Sequence, residues 1–222
     1  MTSYRYGAGV GSGLPDGIKY LLIWNAIVFL LQQILRDNFP ILLFGLVPDL
    51  VWHGFVWQLV TYMFLHGGFF HILLNMFVLW MFGSDLERFW GTGRFISYYF
   101  FTGIGAAVVN VLVTPHGQIP TIGASGAIYG VLLAYAMLFP ERRVLLYFLV
   151  PIPVRVFVIA LAVIELFYSI AQSGSPISHI THLGGFVFGW LYMRGFGPSD
   201  LWGRMTGRRR RGTRVIDFTR DR

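Results

Sequence analysis

Cysteine is absent from this chain of 222 residues, and charged residues are scarce. Without cysteine, neither disulfide bonds nor thiolate chemistry is available. Asp, Glu, Lys and Arg together make up 12% of the chain, which is about half of what a soluble domain carries. Hydrophobic residues make up 55%. We therefore predict a single polytopic membrane domain rather than a soluble protein.

Apolar runs recur along the sequence, and a membrane-spanning helix needs about 20 such residues. Because lipid leaves no partner for an unpaired backbone group, the spans are predicted to be α-helices. A long connection after the first span is too apolar for a solvated loop, and too often interrupted by proline and glycine for a span. We place it partly in the membrane. The predicted fold is an all-α polytopic bundle of six transmembrane helices, at about 18–35, 66–82, 95–113, 125–139, 156–170 and 179–196.

The chain is predicted to have three regions, without an internal repeat. Residues 1–16 are expected to be a flexible, Gly-rich leader, 17–197 the six-helix membrane domain, and 198–222 a basic tail. Much of the net charge of +7 lies in that tail, which favours membrane orientation over nucleic-acid binding. With six spans, the basic residues other than Arg36 fall on one side. Both termini are therefore predicted to be cytoplasmic, in a plasma membrane or bacterial inner membrane.

Polar side chains lie in the outer halves of three separate spans. Inside a membrane such groups are costly and usually face a partner or a water-filled cavity. Their similar depth predicts one shared site. Its candidate members are His66, His71 and Asn75 in the second span, Ser125 in the fourth, and His179 and His182 in the sixth.

The fourth predicted span is short. From Ser125 to Phe139 it has 15 residues, or about 22 Å of helix, against a hydrocarbon core of ~30 Å. The preceding segment must then enter the membrane as irregular backbone, which is tolerated only where it packs in protein or lines water. Ser125 is predicted to lie at the bottom of a wet cavity, at a helix N-terminus that favours developing negative charge.

Two small-xxx-small motifs predict a close approach of the fourth and sixth spans. His182 precedes the second motif by three residues and shares its face, while Ser125 and Tyr129 lie beside the first. Docking these faces would put His182 next to Ser125, which needs a base to become nucleophilic, with the Tyr129 ring supporting the imidazole. The motifs are Gly126 with Gly130, and Gly185 with Gly189.

Taken singly, each of these features has a structural explanation. A Gly-x-Ser-Gly string in a membrane protein usually marks helix packing, and His71 and Asn75 could simply bond neighbouring helices. Tyr129 alone would be core filler. His179, one turn before His182, could also act as a base, although the glycine motif favours His182. Only the joint occurrence at one depth favours a catalytic site.

The sequence resembles the rhomboid family of intramembrane serine proteases over roughly 57–189. "GASG" at 123–126 is similar to the family's Gly-x-Ser-Gly, and "HLGGFVFG" to its His-x-x-Gly-x-x-x-Gly. "HGGFFHILLN" is similar to the His-rich second span, and "ERFWGTGRF" from Glu87 to a structural turn after it. Where the family often has Trp-Arg in the first loop, this chain has Trp57 and Gln58, which weakens any claim about that pair.

The resemblance implies a rhomboid-like bundle and a mechanism without cofactor or metal. Ser125 would be the nucleophile and His182 the general base, with His71 and Asn75 binding the oxyanion. The residues implied in support are Tyr129, Gly123, Gly126, Gly185 and Gly189.

The implied substrates are single-span membrane proteins, cut near the outer membrane boundary at small residues and entering past the fifth helix and the 173–178 loop. Nucleic acid is not expected as a partner. The spacing requires no third acid, so Glu165, a carboxylate deep in the fifth span, is predicted to be structural or gating.

Three alternatives remain. A catalytically inactive rhomboid-like protein that binds membrane clients would normally lack the serine or the histidine. A metal-dependent protein could use the histidines of the second and sixth spans, but the sequence has no His-Glu-x-x-His and no carboxylate beside them. A proton-coupled transporter would show paired helix breaks and repeats.

Overall fold

A computed structural model describes residues 13–146, 149–171 and 179–198. These ranges are predominantly helical and include a short β-hairpin. The α-helices are α1 Asp16–Leu35, α2 Ile41–Phe44, α3 Pro48–Trp52, α4 Gln58–Thr61, α5 Phe69–Val78, α6 Ser84–Trp90, α7 Thr92–Val113, α8 Ser125–Leu138, α9 Val154–Ala171 and α10 His179–Leu191. Short 3-10 turns lie at Arg36–Asn38 and Tyr62–Phe64, and π-helical turns at Leu79–Gly83 and Tyr192–Phe196. The strands are β1 Arg143–Leu146 and β2 Val150–Pro153.

The prediction of a polytopic helical bundle is confirmed. Within the described ranges, four helical stretches are long and apolar enough to cross a membrane: Asp16–Asn38, Phe69–Trp90, Thr92–Val113 and Val154–Ala171. α8 and α10, with 14 and 13 residues, are shorter. The count of six spans therefore stays a prediction, and the shortness of α8 agrees with the depth inferred for its first residue.

The second span differs most from its predicted bounds of 66–82. Helix begins only at Phe69, after Gly67 and Gly68, and a π-helical turn then carries it onward to Trp90. Glycine is a poor helix former, which explains the late start. His66 consequently lies in the connection before the helix rather than on it.

The connection between α8 and α9 contains the hairpin, which the all-α prediction did not include. β1 and β2 are antiparallel, with Arg143 opposite Pro153 and Leu146 opposite Val150. Proline disfavours helix here because it lacks the N–H donor, and Val and Ile favour extended backbone. The hairpin leads directly into α9 at Val154.

The core of the bundle is formed by α7, α8 and α10, and each of these helices packs directly against the other two. A Cβ atom on Gly185 would collide with the carbonyl oxygen of Gly126, so α10 approaches the backbone of α8 directly. The α8 glycines also approach α7, since a Cβ on Gly126 would meet Ala106 at 2.8 Å, as well as Thr181 of α10 at 3.2 Å, and one on Gly130 would meet Thr102. A Cβ on Gly189 would lie 3.2 Å from Cα of Gly130, so the two glycine pairs approach each other as predicted, although the Cβ positions of the α8 pair are turned mainly toward α7.

The connection between α1 and α5 is organised from inside by Gln58, which is fully buried. Its side chain accepts a hydrogen bond from the Val47 N–H at 2.9 Å and donates to the Leu42 carbonyl at 2.8 Å. The Trp57 indole N–H donates to the Leu43 carbonyl at 2.9 Å. Gln58 thus braces the loop from within through its side-chain amide. The exposed apolar residues around it, which include Leu42, Trp52 and Val56, favour the predicted insertion into the membrane.

Glu87 of α6 fixes the start of α1. Its buried carboxylate accepts hydrogen bonds from the backbone N–H groups of Gly17 and Ile18, both at 2.8 Å, and from the Thr92 hydroxyl at 2.6 Å. The first N–H groups of a helix have no partner within the helix, and their partial positive charge favours an anion. Glu87 therefore caps the N-terminus of α1, which gives a physical reason for the structural role predicted for the turn that begins at this residue.

Replacing Glu87 with alanine is expected to lower the free energy of unfolding by about 1.5–3 kcal/mol, the range for hydrogen bonds to a charged group. The measurement is thermal unfolding of the purified protein in detergent. Glu141→Ala is the matched control, because Glu141 is exposed and forms a surface ion pair with Arg155 worth about 0–1 kcal/mol. Equal midpoints for the two variants would contradict the cap.

Candidate active site

Ser125 is the first residue of α8, and the backbone before it is shaped by Gly123. Gly123 has a φ of +126°, where a side chain is strained, and a Cβ there would lie 2.8 Å from Nε2 of His71. Its N–H donates to the Tyr62 carbonyl at 2.9 Å. The segment before α8 also pairs with the first loop, through two backbone hydrogen bonds between Leu46 and Thr121. This irregular backbone is therefore packed in protein, as membrane depth requires.

His182, from the first turn of α10, meets Ser125 directly. Its Nε2 lies 2.8 Å from the serine Oγ, and the residue is 9% exposed. The imidazole is stacked on the Tyr129 ring, with 4.3 Å between centroids and 8° between planes. Because α10 carries Gly185 one turn later, the two helices come close enough for this contact. The structure thus brings together the serine, the histidine and the tyrosine that the spacing singled out.

The structure adds Glu165 of α9 to this group. Its Oε1 lies 3.0 Å from Nδ1 of His182, and its Oε2 lies 2.6 Å from Nδ1 of His179. The Tyr129 hydroxyl donates to the same carboxylate. Glu165 is 5% exposed. The expectation that no carboxylate lies beside these histidines is therefore wrong, because helix packing brings Glu165 to them.

The contact between His182 and Glu165 is close but not well aligned. Nδ1 of His182 is buried and has no hydrogen bond of good geometry among the described residues. Glu165 is nevertheless within 3.0 Å. In unliganded active sites such contacts are often poorly aligned and tighten in the reacting complex.

His71 and Asn75 come from α5, which also contacts α8. Nδ1 of His71 accepts a hydrogen bond from the Gly67 N–H at 3.3 Å, which leaves the proton on Nε2 beside Gly123. The Asn75 amide is buried and donates to the His71 carbonyl at 3.0 Å, so one of its two N–H bonds is engaged within α5. His71 thus lies next to the segment that leads into Ser125, and Asn75, one turn later on α5, is hydrogen-bonded to the His71 backbone.

The two remaining candidate histidines, His66 and His179, occupy different surroundings. His66 is buried, with its ring edge against His71 at 5.0 Å between centroids. His179 contacts Glu165 and stacks on the Tyr168 ring at 5.3 Å. In the part of the chain that the structure describes, one group could hold a metal ion: ligand atoms of Glu165, His179 and His182 lie within 4.8 Å of one another. The prediction of a metal-free site therefore stays a prediction, and the alternative is a metal ion bound by these three residues.

Comparison with known proteins places the chain in a family. The Rhomboid domain profile matches residues 53–199. Rhomboid protease GluP of Bacillus subtilis (strain 168) is 34% identical over 143 residues, which cover 64% of this chain and 26% of that protein. Rhomboid protein 1, mitochondrial, of Saccharomyces cerevisiae is 33% identical over 134 residues, 58% of this chain and 38% of that protein.

Presenilin-associated rhomboid-like protein, mitochondrial, of Homo sapiens is 31% identical over 150 residues, which cover 63% of this chain and 37% of that protein. The chain therefore spans well under half the length of these three relatives. The matched region includes α5 and α7 to α10, the helices that carry the residues around Ser125. On the profile match, which covers more than half of its length, the chain belongs to the rhomboid family.

Proposed function

We propose that this protein is an intramembrane serine endopeptidase. The observation that carries the proposal is the 2.8 Å contact between Ser125 Oγ and His182 Nε2, formed at the start of a helix inside an apolar bundle. A serine hydroxyl is a weak nucleophile until a base takes its proton, and this pair has the required geometry. The resemblance of both motifs to those of rhomboid proteases supports the same roles.

In the proposed reaction, His182 takes the Ser125 proton as the serine oxygen attacks the scissile carbonyl. The negative charge that develops on the carbonyl oxygen is stabilised by His71, Asn75 and the Ser125 backbone N–H. Each such donor typically contributes about 10²–10³ in rate. His182 then protonates the leaving amine, and water from the cavity hydrolyses the acyl-enzyme.

The proposed substrates are single-span membrane proteins, cut near the outer membrane boundary. The apolar faces of the bundle support action on membrane-embedded chains, and no cofactor is needed for the reaction. Both termini are proposed to be cytoplasmic, in a plasma membrane or bacterial inner membrane. Most of the leader (1–16), all but the first residue of the basic tail (198–222) and the 173–178 loop lie outside the described residues.

The test compares the purified wild-type protein with Ser125→Ala, using a fluorophosphonate probe and a model transmembrane substrate in detergent. We expect the wild type to be labelled and to cleave, and Ser125→Ala to do neither. A chelator should leave both results unchanged. If Ser125→Ala cleaves like the wild type, the proposal fails. Chelator-sensitive cleavage that survives Ser125→Ala would favour a metal site at Glu165, His179 and His182.

An inactive client-binding protein is the second candidate within the family. Both residues of the Ser125 and His182 pair are present and in contact, which argues against it. Under this alternative the wild type would retain the model substrate without cutting it. The same assay therefore separates the two functions.

A further inference from the structure

We propose that Glu165 is a positioning residue for catalysis, so that Ser125, His182 and Glu165 act as a triad rather than a dyad. This inference rests on the proposed function above. Glu165 acts through His182, whose Nδ1 lies 3.0 Å from its Oε1, and it does not touch the reacting atoms. Its role is to orient the imidazole and to stabilise the positive charge that the imidazole acquires when it takes the serine proton.

The first step of the argument concerns the tautomer of His182. An ionised carboxylate can only accept hydrogen bonds, so the Nδ1 that faces Glu165 is the nitrogen that carries the proton. The other ring nitrogen, Nε2, is then unprotonated and faces Ser125 Oγ at 2.8 Å. That is the tautomer a general base needs. Within the described ranges, no better-aligned group at Nδ1 could select it.

The second step concerns charge. When His182 takes the serine proton, a cation forms in a site that is 9% exposed, where water can stabilise it only weakly. Coulomb interactions are stronger in such surroundings than in water. Among the described titratable or hydroxyl groups that face the imidazole, the carboxylate is the one anion. These groups are Ser125 and Tyr129 from α8, Glu165 from α9, His179 from α10 and His71 from α5.

The third step concerns the anchoring of Glu165 itself. The Tyr129 hydroxyl and Nδ1 of His179 hold the carboxylate from two further directions. Tyr129 therefore has two contacts with the same unit, since its ring stacks on His182 and its hydroxyl donates to Glu165. A side chain held in this way is preorganised, which is how enzymes stabilise developing charge without reorganisation.

The fourth step is the position of Glu165 on its helix. α9 is largely exposed, and its buried residues are Val154, Val158 and Glu165. A carboxylate at one of so few buried positions, within an apolar helix, costs free energy unless its partners repay the loss of water. Ionisable groups inside membrane helices are rare and usually functional. The partners here are the general base and the groups that anchor the acid.

The experiment is a kinetic comparison of Glu165→Gln and Glu165→Asp with the wild type in detergent. We expect Glu165→Gln to lower kcat roughly 10- to 100-fold, with KM within a few-fold, since general-base catalysis is worth about 10²–10⁴ and is only partly lost here. Fluorophosphonate labelling should slow by the same factor. The acidic limb of the kcat/KM profile should move to lower pH, because a negative charge no longer favours protonated His182. Glu165→Asp should recover part of the rate.

Three controls separate a positioning role from a structural one. Glu141→Gln makes the same chemical change at an exposed carboxylate and should leave rate and pH profile unchanged. His179→Gln removes one of the two anchors of the acid but leaves the carboxylate beside His182, so it should lose less rate than Glu165→Gln and keep the wild-type pH profile. Thermal unfolding midpoints in detergent are recorded for every variant.

Two results would overturn the triad. One is a Glu165→Gln variant with wild-type kcat and pH profile. The other is an equal loss of rate and thermal stability in Glu165→Gln and His179→Gln, with no change in pH profile, which would make Glu165 a structural link between α9 and α10. Ser125→Ala is measured alongside: if it remains active, the proposed function itself fails, and if it is inactive while Glu165→Gln is normal, only the triad fails.

Discussion

Replacing His182 with glutamine is expected to reduce peptide hydrolysis by at least ~10³-fold, the scale on which a serine hydrolase depends on its base. Glutamine fills most of the same volume but cannot take the serine proton at neutral pH. Ser125 would then keep its hydroxyl proton and react only slowly. The measurements are cleavage of a model transmembrane substrate and the rate of fluorophosphonate labelling, each at matched protein concentration.

The control for this variant is His179→Gln, one helical turn away. His179 is bonded to Glu165 and stacked on Tyr168, and within the described residues it makes no hydrogen bond to Ser125. We expect that variant to keep activity within a few-fold of the wild type. The reverse order, with His179→Gln inactive and His182→Gln active, would show that the base has been assigned to the wrong histidine.

Much of the fold can be predicted from the sequence, because long apolar runs identify membrane-spanning helices. Helices α1, α7 and α9 begin and end within about three residues of the predicted spans, and α8 begins at Ser125 as predicted. The features that the sequence did not predict are local changes of backbone conformation. The late start at Phe69, the π-helical turn that extends the second span and the β-hairpin before α9 each replace a regular helix or loop. Hydropathy cannot distinguish such alternatives, because all of them keep apolar side chains in lipid or in the core.

The candidate site was predictable where its members belong to short motifs. Ser125 and Tyr129 are one turn apart on α8, and His182 lies one turn before Gly185 on α10, so helix geometry alone fixes each local arrangement. Glu165 could not be placed in this way. Its contact with His182 depends on how α9 rotates about its own axis, which no spacing in the sequence determines. The sequence does show a carboxylate deep in an apolar span. That observation identifies Glu165 as a candidate, but it does not predict the contact with His182.

Which neighbouring helix requires a glycine on a given face also depends on the three-dimensional packing of the helices. Sequence spacing shows that Gly126 and Gly130 share one side of α8, but not which neighbour approaches that side. In the structure, α7 lies on that side with Ala106 and Thr102, and α10 also reaches Gly126 with Thr181, while the α10 glycines contact the α8 backbone. The closeness that permits the contact between serine and histidine is therefore controlled from α10.

Gly185→Ala is accordingly expected to damage both stability and activity. The added methyl group would collide with the Gly126 carbonyl oxygen, and it would also approach the Gly126 carbonyl carbon to 3.0 Å and Tyr129 Cβ to 3.4 Å. Because the obstacle is backbone, it cannot move aside as a flexible side chain could. Overpacking of this kind typically costs about 1–3 kcal/mol, and a backbone clash belongs at or above the top of that range.

The loss of activity should exceed what the loss of stability explains. Relief of the clash requires α10 to move away from α8, which stretches the contact between Ser125 and His182, and a displacement of 1 Å at a reacting group can cost about 10²-fold in rate. We therefore expect Gly185→Ala to retain about 1% of wild-type cleavage or less, even at temperatures where it remains folded. Gly189→Ala should be milder, since a Cβ there would lie 2.7 Å from the Tyr98 hydroxyl and 3.2 Å from the nearest backbone atom, Cα of Gly130, whereas the Gly185 Cβ would lie 2.0 Å from backbone. Gly93→Ala, whose Cβ would meet nothing within 4 Å, is the matched control and should leave cleavage unchanged. Normal cleavage by Gly185→Ala would mean that the spacing of α8 and α10 does not control the meeting of Ser125 and His182.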